Sequence, residues 1–270
     1  MNIYTIILSA YTITLPALIL PSSLKKLWAT VHTEVTSKEI PVSASSHISI
    51  DNLIGSISVY GWDRDAIVIE VIKNGTAEEI KNTKVTIKYE KSSATAYITT
   101  HAETNQPIAK INLIINAPEK SMLDKVSTNN GDITIRDIFD KVTVSTLEGN
   151  VLIKNIRGAL QAHTSKGTIE IRQKTLDKKN FMLLDALQGN VTLYLPLSTH
   201  ADVQAKTTEG VVKCDHFITL EPQTIKLNND SWNQFKKEAV GVIGDNEKRP
   251  KITIDVTKGN ISLLVTSNNE

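Results

Sequence analysis

One five-residue pattern decides the fold, and it occurs three times in the middle of the chain: Gly131-Asp132-Ile133-Thr134-Ile135, Gly149-Asn150-Val151-Leu152-Ile153 and Gly167-Thr168-Ile169-Glu170-Ile171. Each copy reads glycine, any residue, apolar, any residue, apolar. Successive copies begin 18 residues apart. Further copies begin at Gly55, Gly189, Gly210 and Gly259. A pattern that returns on a near-constant cycle predicts a protein built from stacked repeats.

Apolar residues at every second position bury one face of a β-strand, while the residues between them point the other way. One repeat cannot bury that face alone, so the repeats must stack about 4.8 Å apart. Stacking predicts interior columns, the first of which joins Ile133, Val151 and Ile169. A second apolar pair in each repeat, such as Val142 and Val144, predicts a second strand. The expected fold is an all-β parallel β-solenoid, a single-stranded β-helix with short glycine- and asparagine-rich turns.

The glycines of the pattern are predicted to be structural turn residues, where φ becomes positive or neighbouring backbones crowd together. In four copies a threonine precedes the glycine by three residues, at Thr128, Thr146, Thr164 and Thr207. No helical pattern follows any of these glycines, so a phosphate-binding loop is not indicated.

Outside the regular repeats, residues 31–120 alternate apolar and polar side chains in longer runs, which predicts further strands. Only residues 76–82 and 231–240 are expected to form a brief helix or an irregular loop. The second of these stretches belongs to an excursion, residues 216–250, that interrupts the repeat. Long excursions from a regular scaffold often carry function. We therefore predict ligand-binding residues there, at Trp232, Phe235, Lys236 and Lys237.

The first 29 residues differ in character from the rest, because residues 3–20 are almost wholly apolar. An apolar core followed by Leu27-Trp28-Ala29 favours a cleaved secretory signal, although no Lys or Arg precedes the core. An uncleaved N-terminal anchor is the alternative. The expected organisation is a signal or anchor over residues 1–29 and one β-solenoid domain over residues 30–270.

Composition limits the classes of function. The chain has 30 Lys and Arg against 29 Asp and Glu, so no long-range field would attract nucleic acid. Cys214 is the only cysteine, which excludes an intramolecular disulfide and a cysteine-based zinc site. The six histidines show no spacing typical of a metal site. Neither a metal nor another cofactor is expected.

Catalysis is not expected either. Parallel β-helices include enzymes that act on polysaccharides, and their carboxylates would here be drawn from Asp63, Asp65, Asp132, Asp137 and Asp140, with Arg136 or Arg172 as partners. Stacking places Asp137 over Asn155 and Asp140 over Gly158, so the acids do not continue from coil to coil. No Gly-x-Ser-x-Gly motif is present. These acids are better explained as solvated turn residues, and Trp62, which aligns with Ile138, as a core residue.

Several stretches together resemble a known family: residues 61–70 (Gly61-Trp62-Asp63-Arg64 onward), the strand through Leu113 that ends at Ala117-Pro118, and the Thr-x-x-Gly series. The closing stretches 189–196, 201–203 and 251–256 fit as well. Over roughly residues 45–265 the chain is similar to the bacterial putative-adhesin domain family of unknown function. The Lys- and Asn-rich stretch 226–248 departs from that pattern. The resemblance implies a right-handed β-solenoid, a periplasmic, cell-surface or secreted location, and adhesion.

The sequence thus predicts an exported, non-catalytic protein, a putative adhesin or binding and display scaffold of the cell envelope. Its partner would be an envelope, glycan or protein ligand, with membrane contact only through an N-terminal anchor. One alternative is a structural envelope protein that self-associates through the exposed strand edges of a solenoid. A carbohydrate-active enzyme is the other alternative.

Overall fold

A computed structural model describes residues 30–173, 175, 180–216, 218–220, 237–244 and 249–266. These residues form 21 β-strands and one short α-helix, which confirms the all-β prediction. The N-terminal part contains β1 (His32–Pro41), β2 (His47–Ile54), β3 (Ile57–Trp62), β4 (Ala66–Gly75), α1 (Ala77–Asn82), β5 (Thr83–Glu90), β6 (Thr95–Ala102) and β7 (Lys110–Pro118). The middle contains β8 (Met122–Asn130), β9 (Ile133–Arg136), β10 (Val142–Glu148), β11 (Val151–Lys154), β12 (Leu160–Lys166), β13 (Ile169–Arg172), β14 (Phe181–Gln188) and β15 (Val191–Leu195). The C-terminal part contains β16 (Ala201–Glu209), β17 (Val212–Cys214), β18 (Ile218–Leu220), β19 (Glu238–Ile243), β20 (Lys251–Lys258) and β21 (Ile261–Val265).

The strands form two sheets. Sheet A has the order β1-β4-β7-β3-β9-β11-β13-β15-β21-β17, and sheet B the order β18-β19-β16-β20-β14-β12-β10-β8-β2-β6-β5. From β7 to β17 in sheet A, and from β16 to β6 in sheet B, neighbouring strands run parallel.

Antiparallel strands lie at one edge of sheet A (β1–β4–β7) and at both edges of sheet B (β5–β6 and β16–β19–β18), whereas the other edge strand of sheet A, β17, pairs parallel. The sheets are therefore mixed, which corrects the expectation of a parallel arrangement throughout. A stack of parallel coils leaves an unpaired strand edge, and antiparallel strands cover such an edge.

The repeat supplies the core of the stack. Ile133 pairs in register with Val151, and Val151 with Ile169, so the predicted column is present. The column continues through Val191 to Ile261. All five side chains are 0–1% exposed. The apolar positions of the pattern therefore form one continuous dry interior, as expected for one-sided strands.

The last coil of the chain lies between two coils that precede it in sequence. β21 pairs with β15 on one side and with β17 on the other, and β20 lies between β14 and β16 in the same way. The chain thus passes from the β14–β15 coil to the β16–β17 coil two layers away, and returns at the end to fill the gap. The final coil contributes Ile252, Ile254 and Val256 to the core, each at most 1% exposed.

The turn glycines are required by close backbone approach. At Gly167 φ is +149°, and a Cβ added there would lie 1.9 Å from the carbonyl oxygen of Gly149 in the neighbouring coil. Gly210 has the same crowding, because its Cβ would lie 1.8 Å from the oxygen of Gly259. A positive φ is found at Gly55, Gly131, Gly149, Gly167, Gly189 and Gly259.

The four threonines that precede a turn glycine by three residues hold neighbouring coils together. The hydroxyl of Thr146 donates to the carbonyl oxygen of Gly131 at 3.2 Å, one coil away. Equivalent bonds run from Thr128 to Gly55, from Thr164 to Gly149 and from Thr207 to Gly259. Buried carbonyl groups need a partner, which explains why the motif is Thr-x-x-Gly.

The two stretches expected to be helical or irregular have different outcomes. Residues 77–82 form α1, which begins with a capping box between Thr76 and Glu79. Such reciprocal bonds satisfy free N–H groups at a helix start. In the other stretch, Glu238 to Val240 belong to strand β19, so a helix or loop is wrong there, while residues 231–236 lie outside the described part of the chain.

Candidate functional site

The predicted ligand-binding residues fall mostly outside the described residues. Trp232, Phe235 and Lys236 are outside the described part of the chain. The predicted signal or anchor, residues 1–29, is outside it as well. Lys237 is exposed in a turn before β19, and its carbonyl oxygen accepts a hydrogen bond from the Thr207 N–H at 2.8 Å. Lys237 is therefore the only one of the four with a described position.

Three of the five carboxylates considered for catalysis accept hydrogen bonds in the turns. Asp137, at φ +58°, accepts a 2.6 Å bond from Asn155 Nδ2 in the next coil. Asp132 accepts the backbone N–H of Asn150 at 2.7 Å. Asp140 accepts the backbone N–H of the residue that follows it. Each of these acids thus completes a turn.

Two histidines contact carboxylates on neighbouring strands of sheet B. His47 Nδ1 lies 2.8 Å from Asp124 Oδ2, and His163 Nδ1 lies 2.7 Å from Asp185 Oδ2. Both pairs escaped sequence reasoning, because their members are 77 and 22 residues apart and meet only through strand register. In the described residues no group of three or more His, Cys, Asp or Glu is placed to hold a metal ion.

His163 also lies 3.4 Å, through Nε2, from the hydroxyl of Ser165. Ser165, His163 and Asp185 are therefore connected in the order of nucleophile, base and orienting acid of a hydrolase. Acyl transfer also requires donors for the oxyanion. The backbone of β12 pairs with β10 on one side and β14 on the other, so its N–H groups serve the sheet. The three side chains lie together on the outer face of sheet B.

The outer face of sheet A carries a different arrangement, which we call the basic row: Tyr60, Arg136, Lys154, Arg172 and Tyr194. These residues occupy matched positions on five adjacent strands, because each pairs in register with the next. All five are half-buried. With strands about 4.8 Å apart, the three cations lie on a straight line roughly 10 Å long, and the two tyrosines extend it to roughly 19 Å.

Like charges at directly opposed positions destabilise a sheet. Two cations about 5 Å apart repel by about 3 kcal/mol at an effective dielectric constant of ~20, and by less where water reaches them. Lys154 lies between Arg136 and Arg172 in the row, so it faces a like charge on both sides. Among the described residues, neither Lys154 nor Arg136 has an ion-pair partner. The row therefore holds two cations, Arg136 and Lys154, without a described ion-pair partner, whereas Arg172 is paired with Glu170.

The two arginines of the basic row are held in different ways. Arg172 donates from Nε to Glu170 Oε1 at 2.7 Å and lies over the Tyr194 ring, 4.6 Å from its centre. Cation–π stacking of this kind fixes the plane of a guanidinium. By contrast, Nε of Arg136 is buried without a hydrogen-bond partner. A buried donor that lacks a partner carries a desolvation cost.

A sequence signal for the basic row exists, although it was not recognised. Each member lies five residues after a turn glycine, so that Arg136, Lys154 and Arg172 follow Gly131, Gly149 and Gly167 by the same distance. Arg136 and Arg172 were considered only as partners for carboxylates. Comparing outward positions between repeats would have shown the row.

Trp62 was expected in the core, by analogy with Ile138. Its ring is half-buried, its Nε1 donates to the Ala66 carbonyl at 2.9 Å, and Arg64 lies over it, 4.4 Å from the ring centre. Trp62 therefore packs partly and fixes the turn between β3 and β4, whereas Ile138 is fully buried.

A polar cleft of about 500 Å³ lies beside α1, and its lining includes Glu78, Glu103 and Gln106. Asn82 donates from Nδ2 to the Gln106 carbonyl at 2.8 Å. The cleft is thus bounded by a loop that the helix end holds in place.

No helix among the described residues is long and apolar enough to span a bilayer.

Several solved structures are similar to this chain. A "putative cell adhesion protein" from Clostridium sporogenes is 13% identical, with 88% of this chain and 100% of that chain covered and a TM-score of 0.46. A "putative adhesin" from Bacteroides fragilis is 12% identical, covering 86% and 97%, with a TM-score of 0.39. A "putative lipid binding protein" from Parabacteroides distasonis is also 12% identical, covering 86% and 97%, with a TM-score of 0.35.

Comparison with curated proteins finds no match. The family profile described as Toastrack DUF4097 matches residues 124–264, which is 141 of the 270 residues in the chain. The matched region runs from β8 to β21 and contains the coils of the stack that follow residue 124, whereas the β2–β3 coil precedes it. Because the profile covers more than half of the chain, and because the putative-adhesin resemblance of the sequence agrees with it, the protein belongs to the Toastrack DUF4097 family.

Proposed function

We propose that this protein is an exported, non-catalytic binding scaffold of the cell envelope, and that the basic row is its ligand-binding surface. The observation that carries the proposal is the register of Arg136, Lys154 and Arg172 on three adjacent strands. The fold gains nothing from aligned like charges. An anionic partner would convert their repulsion into attraction.

We also propose that the fold is a right-handed parallel β-solenoid. The parallel strands of the stack connect through short turns from one sheet to the other, as in a right-handed solenoid. Crossover connections between parallel strands are right-handed in the great majority of proteins. A rigid stack of this kind presents its outward side chains at fixed spacing, which suits adhesion or display.

The proposal also includes export. The apolar stretch at residues 3–20 and the small residue Ala29 support export through a cleaved signal. We expect the mature protein to begin at Thr30, as measured by mass spectrometry of protein from the producing cells after fractionation. Cytosolic protein that still carries Met1 would contradict export, and envelope protein that still carries it would favour the anchor.

Binding is tested by sedimentation of the purified full-length protein with isolated bacterial cell-envelope particles. The charge-reversing variant Lys154→Glu is expected to lose most of the bound fraction, because it places an anion between two arginines. Lys251→Glu is the matched control, since Lys251 is exposed on sheet B and the net charge changes equally. Equal sedimentation of the wild type and Lys154→Glu would remove the basic row as the binding surface.

Self-association, the alternative interpretation of the sequence, is not favoured by the edge strands. The edge strand β5 carries Lys84 and Lys88, and the edge strand β1 carries Glu34 and Lys38. Charged side chains on edge strands oppose the addition of another chain. We expect one sedimentation coefficient across a wide range of protein concentrations, and a coefficient that rises with concentration would favour assembly.

A further inference from the structure

We infer that the final coil, formed by β20 and β21, is a clamp. The strands β16 to β19 stay on the stack while this coil is in place and leave when it leaves, so that β16 to β21 open as one unit. The inference concerns a conformational device in the fold and does not depend on a ligand. It follows from the order of the strands, the burial of the final coil and the hydrogen bonds at its turn.

Strand order makes the final coil the link between two parts of the molecule. In sheet B the neighbours of β16 are β20 and β19, and in sheet A the neighbour of the edge strand β17 is β21. β16 and β17 therefore do not pair with β14 or β15, although the chain continues directly from β15 to β16. β19 pairs with β16, and β18 pairs with β19. Among the described strands, every pairing between this group and the rest of the two sheets passes through the final coil.

The final coil packs on both sides of itself. Ile254 pairs in register with Leu184 of β14 on one side and with Ala205 of β16 on the other. Its inward side chains are at most 1% exposed: Ile252, Ile254, Val256, Ile261 and Leu263. In a stack of repeats, stability is approximately the sum of the coils' own stabilities and of the contacts between neighbours. Loss of the final coil removes the contacts with both neighbours at once, whereas loss of a coil at the end of a stack removes one set.

The turn of the final coil is bonded to both neighbouring layers as well. The Asn260 N–H donates to Asn190 Oδ1 at 2.8 Å, and Asn260 Oδ1 accepts the Val211 N–H at 3.0 Å. The hydroxyl of Thr207 donates to the Gly259 carbonyl oxygen at 2.7 Å. These bonds cross from one layer to the next, so they break together when the final coil leaves.

The two parts of the stack should therefore differ in how they open. When the final coil leaves, β16 and β17 lose their described pairing with the stack, and β18 and β19 leave with them. The strands β10 to β13 keep both of their neighbouring layers. Contiguous units of a protein can open cooperatively at a lower free energy than the whole chain. We therefore expect β16 to β21 to open together, and at a lower free energy than β10 to β13.

Hydrogen exchange of the full-length protein, followed by mass spectrometry over a range of urea concentrations below the unfolding transition, tests the inference. Peptides from β16, β20 and β21 should share one opening free energy and one urea dependence. Peptides from β10 to β13 should exchange more slowly. Different opening free energies for β16 and β20 would overturn the inference, because they would show that the layers open separately.

Two cavity-forming variants provide a second measurement. Ile254→Ala, in the final coil, should accelerate exchange in β16 and β20 by the same factor, about 30 or more, which corresponds to the loss expected for a buried isoleucine. Ile153→Ala is the matched control, because Ile153 is equally buried but lies on β11. It should accelerate exchange in β11 and leave β16 and β20 unchanged.

Two results with these variants would contradict the clamp. Acceleration of β16 and β20 by Ile153→Ala would show that the whole chain opens at once. Acceleration of β20 alone by Ile254→Ala would show that β16 stays on the stack without the final coil.

Discussion

Replacing Gly167 by alanine should damage the stack more than its small size suggests. The residue has φ +149°, and the new Cβ would lie 1.9 Å from the Gly149 oxygen. Sparsely allowed backbone conformations cost about 1–3 kcal/mol for a residue with a side chain. Overpacking against a fixed backbone costs about another 1–3 kcal/mol. The expected loss in free energy of unfolding is therefore about 2–6 kcal/mol.

The loss is measured by urea unfolding followed by circular dichroism. With an m-value of about 3 kcal/mol per molar urea, a loss of about 3 kcal/mol lowers the midpoint by ~1 M. Gly210→Ala has the same crowding without a φ in the range reserved for glycine, so it isolates the overpacking contribution. Thr257→Ala, at an exposed position of β20, should stay within about 0.5 kcal/mol of the wild type. A Gly167→Ala midpoint equal to that of Thr257→Ala would refute the argument for crowded turns.

Three further changes are checked in simpler assays. Thr146→Val removes the hydroxyl that donates to the Gly131 carbonyl at 3.2 Å, and we expect a loss of about 1 kcal/mol in urea unfolding; an unchanged midpoint would mean that the bond contributes nothing. Ile153→Ala opens a cavity in a column that is 0% exposed and should cost about 2–5 kcal/mol, seen as a lower thermal midpoint. Burial raises the pKa of the Cys214 thiol, so the folded protein should react with iodoacetamide at pH 8 more slowly than the urea-unfolded chain, and equal rates would contradict its burial.

The interior columns of the regular repeats could be predicted from the sequence. The apolar positions two and four residues after each glycine predicted the columns of Ile133 and Ile135, and both are present. The pattern is local and repeated, so each copy supports the interpretation of the others. The Thr-x-x-Gly spacing was visible too, although the bond from Thr146 to the neighbouring coil could be recognised only once the coils were stacked.

Other parts of the fold depend on contacts that no local pattern records. The position of β21 between β15 and β17 is set by which coil edge is free when the chain returns. The antiparallel strands β1, β5 and β19 have the same alternating pattern as parallel strands, so direction could not be predicted from alternation. The His163–Asp185 pair depends on register across a 22-residue separation.

The candidate site was missed for a different reason. Sequence reasoning looked for function in the irregular excursion at 216–250, because regular repeats were treated only as scaffold. A solenoid, however, turns any residue type that returns at one outward position into a straight line of side chains. The period that places Ile135, Ile153 and Ile171 in one interior column also places Arg136, Lys154 and Arg172 in one exterior row.

Interior columns and the exterior row differ in how well they tolerate amino-acid substitution. Substituting an interior isoleucine opens a cavity that two neighbouring coils cannot fill, so the columns are fixed by stability. Lys154 lies on the outer face, and its removal separates two like charges without disturbing any described ion pair. Lys154→Gln should therefore raise the free energy of unfolding slightly at low salt, by less as salt screens the repulsion. A variant that is more stable but binds less would show that the row is kept for its ligand and not for the fold, whereas a clear loss of stability in Lys154→Gln would assign the row a structural role.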